Sequence, residues 1–81
     1  MESIEERIKR VIANQFGLRL DEVRDDVRFA EDLMVESIEV IELISALEDE
    51  LGMEMPGDMI HRNRTVGELI EYLKKRLATS S

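Results

Sequence analysis

The chain has 81 residues, no cysteine, one histidine and a formal net charge of −8. That length supports one small core burying about 60–65% of the unfolded surface, and the missing cysteines exclude a disulfide framework, a thiol nucleophile and a cysteine-based zinc site. The acidic balance argues against nucleic acid and anionic membrane as partners, no apolar run approaches the roughly 20 residues that span a bilayer, and "MESIEERIKR" is charged from its first turn, unlike a signal peptide. The expectation is a cytoplasmic domain, 1–81, with no membrane insertion, meeting basic partners as a monomer.

Ser3 followed by Glu6 reads as a capping box, and Ile4, Ile8, Val11, Ile12 and Phe16 follow at helical spacing. Gly17 is a natural stop, so a first helix is predicted over 4–16. The residues from Gly17 to Glu36 make a long connection, which itself hints at function. Phe29 and Leu33 are expected to pin it to the core. A middle helix starts at Ser37 or Ile38 and ends before Gly52. Pro56 and Gly57 break the chain next, and residues 58–63 suit a short helix. Thr65 with Glu68 forms a second capping box ahead of Val66, Leu69, Ile70, Leu73 and Leu77, which predicts a last helix over 66–78. Lys74, Lys75 and Arg76 stand at its end, where the helix dipole favours cations. The closing "ATSS" is expected to fray. Neither an internal repeat nor a strand alternation is visible.

Charge is segregated along the chain. Residues 1–28 carry seven acids and six bases, residues 29–61 ten acids and no lysine or arginine, and residues 62–81 two acids and five bases. On the middle helix, stepping about 100° per residue, Val40, Ile44, Leu47 and Leu51 share one face with Leu43 at its edge. Glu39, Glu42, Asp49 and Glu50 share another. Ile38 and Ile41 fall off the apolar face and beside the acidic one, a pattern suited to docking a basic partner: charge steers the encounter and apolar contact holds it.

Ser37 sits at the edge of this surface among Glu31, Asp32, Glu36, Glu39 and Glu42. Serine fills a helix N-cap well. A modified hydroxyl is the other reading, since a phosphate there would meet free backbone N–H groups and the positive end of the dipole. Both stay open. His61 alone gives little support to a Ser–His–acid triad. Met53, Met55 and Met59 read as core filling ahead of the lining of an adaptable pocket. The pairs Glu54 with Asp58 and Glu36 with Glu39 lack the spaced ligand set of a calcium loop, so no metal site is expected.

"EDLMVESIEVIELISALEDELGMEMP" resembles the region around the modified serine of acyl carrier proteins, where the family pattern is E-D-L-G-[AL]-D-S-L followed by an acidic amphipathic helix. "SIEERIKRVIANQFGL" and "TVGELIEYLKKRL" resemble that family's first and last helices, so the resemblance covers nearly the whole chain. It implies an all-α four-helix bundle of acyl-carrier type, with a long first loop and a short third helix. It implies that Ser37 carries 4′-phosphopantetheine through a phosphodiester, and that the terminal thiol holds an acyl group as a thioester. The implied partners are a phosphopantetheinyl transferase and the acyl-transferring and acyl-modifying enzymes of fatty acid, lipid or polyketide biosynthesis. Glu36, Glu39, Glu42, Glu48 and Asp49 match the residues that meet basic patches on those enzymes, and Ile38 and Ile41 match the apolar contacts. The protein itself would catalyse nothing.

Departures from the pattern point to a dedicated carrier in a specialised pathway. Met34 replaces the usual glycine, Glu36 the usual aspartate, Ile38 the usual leucine, and Ser45 a frequent methionine. "GDMIHRNRT" lacks the acidic start usual at the third helix. Two alternatives share this fold: an aminoacyl or peptidyl carrier, which usually has a less acidic second helix, and a carrier-like interaction subunit whose serine stays unmodified.

Overall fold

Local signals set the helix ends. The computed structural model describes residues 2–79. Helix α1 spans Ile4–Phe16, and Ser3 caps it: its hydroxyl oxygen accepts the Glu6 N–H at 3.2 Å. The chain leaves through Gly17 at φ 67°, where the Gly17 and Leu18 N–H groups both return to the Ala13 carbonyl. Helix α2, Ser37–Leu51, ends by the same device, with Gly52 at φ 65° and the N–H groups of Gly52 and Met53 returning to Glu48. Such left-handed positions favour glycine because a Cβ there crowds the backbone. Helix α3 is a single turn, Met59–Arg62, and α4 runs Val66–Thr79. Ala78 and Thr79 are thus helical, while the rest of the expected frayed end lies outside the described residues.

The apolar stripes converge. Ile8 and Ile12 of α1, Leu43 and Leu47 of α2, Met59 of α3, and Leu69 and Leu73 of α4 are fully buried, and α1 packs against both α2 and α4. Met55 is buried and Met53 half-buried against the same core, so this methionine cluster serves packing. No polar or charged residue is buried among the described residues. Lys74 meets Glu5 at 3.2 Å, and Arg76 donates to the Glu54 carbonyl at 3.1 Å. Two of the three cations at the end of α4 therefore tie elements together, beyond the dipole role their position suggests.

The long α1–α2 connection is ordered by the start of α4. The first N–H groups of a helix have no partner within it. Here the Val66 N–H donates to the Val27 carbonyl and the Gly67 N–H to the Asp25 carbonyl, both at 2.9 Å. The Phe29 N–H donates back to the Arg64 carbonyl at 3.0 Å, so residues 25–29 lie antiparallel to residues 64–67. Gly67 permits this approach: a Cβ there would stand 3.1 Å from both the Cβ and the carbonyl oxygen of Asp25. The sequence reading assigned Gly67 no role, because the neighbour that demands it is remote in the chain.

Between these bonds the connection lowers its own anchors into the core. Phe29 is 1% exposed, as expected; Leu33 is only half-buried; Val23 and Val27, which the sequence reading passed over, are buried. A one-turn 3-10 helix, Leu20–Glu22, brings Val23 inward, with the Glu22 carboxylate accepting the Arg19 N–H at 2.8 Å. Phe29→Ala should lower unfolding stability by about 3–5 kcal/mol, the usual cost of deleting a buried aromatic ring. Urea denaturation measures this; a loss below about 1 kcal/mol would mean the loop is held by its backbone bonds alone.

Candidate functional site

Backbone geometry around Ser37 separates two roles that the sequence left open. Ser37 is the first residue inside α2, and Glu36 is the N-cap, at φ −102°, ψ 166°. The expectation of a serine N-cap is therefore corrected. Glu39 supplies the reciprocal contact instead, its carboxylate accepting the Glu36 N–H at 2.9 Å. A cap residue needs an extended backbone, and Ser37 has already turned helical. Its hydroxyl makes no hydrogen bond among the described residues, and the residue is exposed.

The approach to Ser37 is held by a chain of backbone bonds. The Val35 N–H donates to the Phe29 carbonyl at 3.1 Å, and Phe29 is bonded in turn to Arg64. The N–H groups of Asp32 and Leu33 both donate to the Arg28 carbonyl, at 2.9 and 3.1 Å. Met34 adopts φ 52°, the only non-glycine residue with positive φ among those described, and is 74% exposed. This is the position where the resemblance noted a glycine replaced. A left-handed turn stands here without glycine, the residue best suited to it.

Ser37 opens onto a cavity of about 380 Å³. Phe29, Val35, Val40 and Ile60 form its apolar wall. Glu31, Glu36, His61 and Arg64 stand around it as charged or polar groups. His61 thus shares the cavity with Ser37, a proximity invisible in the sequence, yet neither imidazole nitrogen hydrogen-bonds the hydroxyl. The arrangement lacks the base–nucleophile contact of a catalytic triad. Among the described residues no three carboxylate or histidine side chains gather as a metal site.

The remaining residues named from sequence lie along α2 with different degrees of freedom. Ile38 and Ile41 are 61% and 63% exposed, consistent with their place off the apolar stripe. Glu36, Glu42 and Asp49 are exposed, with Glu42 accepting from Gln15 Nε2 at 3.3 Å. Glu39 and Glu48 are partly buried and structurally engaged. Glu39 closes the α2 cap, and Glu48 Oε2 accepts the Met55 N–H at 2.8 Å, tying down the turn after α2. Glu50, on the same acidic face, is drawn away by Arg7 at 2.9 Å.

Asp32 braces the loop beside the site. The Arg28 N–H donates to its carboxylate at 2.8 Å and the Arg28 guanidinium lies 3.4 Å away. The backbone bond first, then the side-chain bond, hold the Asp32 carboxyl below the ordinary aspartate value of 3.8, and Asp32 raises Arg28 in return.

A single exposed serine at the start of an acidic helix, at the mouth of an apolar cavity, in an all-helical bundle of four helices, is the arrangement of a carrier of the acyl-carrier type. The family model for the phosphopantetheine attachment site matches residues 6–73, and the chain belongs to that family. Domains of this family are attachment sites for covalent 4′-phosphopantetheine. The residues present fit such a group: an accessible hydroxyl, free of hydrogen bonds among the described residues, beside a cavity with an apolar wall.

Two predictions follow from this geometry. Met34→Gly should raise stability by a few tenths to about 1 kcal/mol, because relief of the left-handed backbone exceeds glycine's extra unfolded freedom; a loss on urea denaturation would mean the thioether contributes contacts its exposure hides. Asp32, with a folded pKa below its unfolded one, stabilises the protein above the unfolded value, and that contribution disappears as pH falls through the folded value. Wild type should therefore exceed Asp32→Asn in stability at about pH 7, with the gap narrowing by about pH 3; a gap that does not change with pH would break the link.

Proposed function

We propose that this protein is a cytoplasmic acyl carrier whose 4′-phosphopantetheine is joined to Ser37 through a phosphodiester. The observation that carries the reading is the division of labour at the start of α2. Glu36 and Glu39 cap the helix, leaving the Ser37 hydroxyl exposed and uncommitted. Ser37 is also the residue of "EDLMVESI" that aligns with the modified serine of the resembling pattern. When bound, the arm supplies a terminal thiol on which an acyl group is held as a thioester.

The chain's own residues present and recruit. Ser37 fixes the arm's origin on a rigid helix start, and the cavity walled by Phe29, Val35, Val40 and Ile60 offers an apolar surface at that origin. Glu36, Glu42 and Asp49, exposed and without an ion pair among the described residues, form the acidic part of the docking face, and Ile38 and Ile41 its apolar contact. Met34, three residues before Ser37 and exposed, adds a further apolar side chain near it. Partners are a phosphopantetheinyl transferase and acyl-handling enzymes with basic patches, since an acidic face steers cations and exposed aliphatic groups hold the contact. Glu39 and Glu48 belong to this face by sequence match, with their carboxylates already serving α2 and its exit.

An enzymatic role for the chain is disfavoured by the unbonded Ser37–His61 pair. The acidic α2 favours acyl over aminoacyl or peptidyl cargo. The changes at Met34 and in "GDMIHRNRT" support a dedicated carrier in a specialised lipid or polyketide pathway.

Incubation with coenzyme A and a broad-specificity phosphopantetheinyl transferase should add one phosphopantetheine, read by intact mass, and Ser37→Ala should gain nothing. Because Ser37 is not the N-cap, Ser37→Ala should also stay within about 0.5 kcal/mol of wild type in stability. An unmodified wild type, beside a control carrier that is modified, would support the interaction-subunit alternative instead.

A further inference from the structure

Residues 29–61 hold ten acids and no lysine or arginine, and Ser37 lies in that stretch. A phosphodiester on Ser37 adds another negative charge beside Glu31 and Glu36, and like charges in one site repel unless a cation offsets them. The start of α2 already carries negative charge of its own, the Glu36 side chain and the Glu39 carboxylate that accepts the Glu36 N–H at 2.9 Å. Glu31 is compensated by Arg28 at 3.1 Å, so that guanidinium is committed to Glu31 and Asp32. Arg62 lies 4.0 Å from Asp58, and Arg24 3.5 Å from Asp26.

Arg64 differs from these neighbours. It lines the same cavity as Ser37, and its guanidinium has no ion-pair or hydrogen-bond partner among the described residues. Its backbone, by contrast, is held at both ends of the residue. The Arg64 N–H donates to Glu68 Oε1 at 2.8 Å, and its carbonyl accepts the Phe29 N–H at 3.0 Å. Phe29 then accepts the Val35 N–H, two residues before Ser37. An anchored backbone thus holds Arg64 in the cavity wall with its guanidinium uncommitted among the described residues, and backbone bonds connect it to the modification segment. A guanidinium matches two phosphate oxygens at once, which an ammonium does not.

We propose that Arg64 is the counter-charge for the phosphodiester on Ser37 and lays the first segment of the arm along the cavity between α2 and α3. This rests on the reading that Ser37 carries the arm. Arg64 is a positioning residue: it sets where the arm starts and in which direction it leaves, and takes no part in bond making. His61, on the same rim, stands beside the arm's path.

The test uses nitrogen-15-labelled full-length protein, before and after loading with coenzyme A and a transferase, with completeness checked by intact mass. The Arg64 Nε–H signal is assigned by its disappearance in Arg64→Gln. Loading should shift that signal and slow its exchange with water several-fold, while Arg24 and Arg62 change little. The phosphorus-31 signal of the loaded protein should differ between wild type and Arg64→Gln, with Arg64→Lys restoring only part of the difference. Complete loading with an Arg64 signal that moves no more than those of Arg24 and Arg62 would overturn the Arg64 assignment and leave the carrier intact. Failure of wild type to gain mass would instead remove the carrier reading and this inference with it. The wild-type spectra decide the matter even where the glutamine variant loads poorly.

Discussion

The structure depends on how the free N–H groups at the start of α4 are satisfied. A helix beginning in solvent hydrogen-bonds water there; this one bonds the carbonyls of Asp25 and Val27, and Arg64 accepts from Phe29. Three backbone bonds therefore convert a long irregular connection into a fixed ribbon against the bundle. Backbone groups removed from water need partners, so the ribbon and the helix start stabilise each other. Val23, Val27 and Phe29 are buried as a consequence, and the path into Ser37 is set by the Val35–Phe29 bond. Gly67 is the steric condition for all of it.

At the start of α2 the same logic works on side chains. Glu36 and Glu39 form the capping box between them, which leaves the adjacent Ser37 outside it. Serine can then be present for its hydroxyl alone. Met34 tells a related story from the opposite side. A left-handed residue that is also a large exposed thioether carries a steric cost of about 1 kcal/mol, and nothing in the packing compensates it. Such a cost is coherent when the side chain meets something outside the chain.

Charge segregation acquires a spatial meaning in the fold. Of the acids on α2, Glu39, Glu48 and Glu50 are occupied internally, while Glu36 and Asp49 remain without an ion pair among the described residues and Glu42 has only a long bond to Gln15. The bases are largely spent too: Arg7, Arg28, Lys74 and Arg76 tie elements or loop segments together. The exposed acidic face is thus narrower than the sequence suggests, and Arg64 is conspicuous as an uncommitted cation near it.

The sequence by itself determined the helices and the family. Capping pairs at Ser3–Glu6 and Thr65–Glu68, stops at Gly17 and Gly52, and apolar spacing all act within a few residues, so helices α1, α2 and α4 lie where local pattern puts them, to within a residue. The motif around Ser37 and the off-stripe positions of Ile38 and Ile41 were legible for the same reason. Other features were decided only by the tertiary structure: the path of the connection, the need for Gly67, the burial of Val23 and Val27, the release of Ser37 from capping, and the meeting of Ser37, His61 and Arg64 at one cavity. Apart from the Ser37 cap, which depends on whether the chain has turned helical at residue 37 or 38, each rests on contacts between residues far apart in the chain, such as Phe29 with Arg64, and no local periodicity encodes such a contact until the helices have packed.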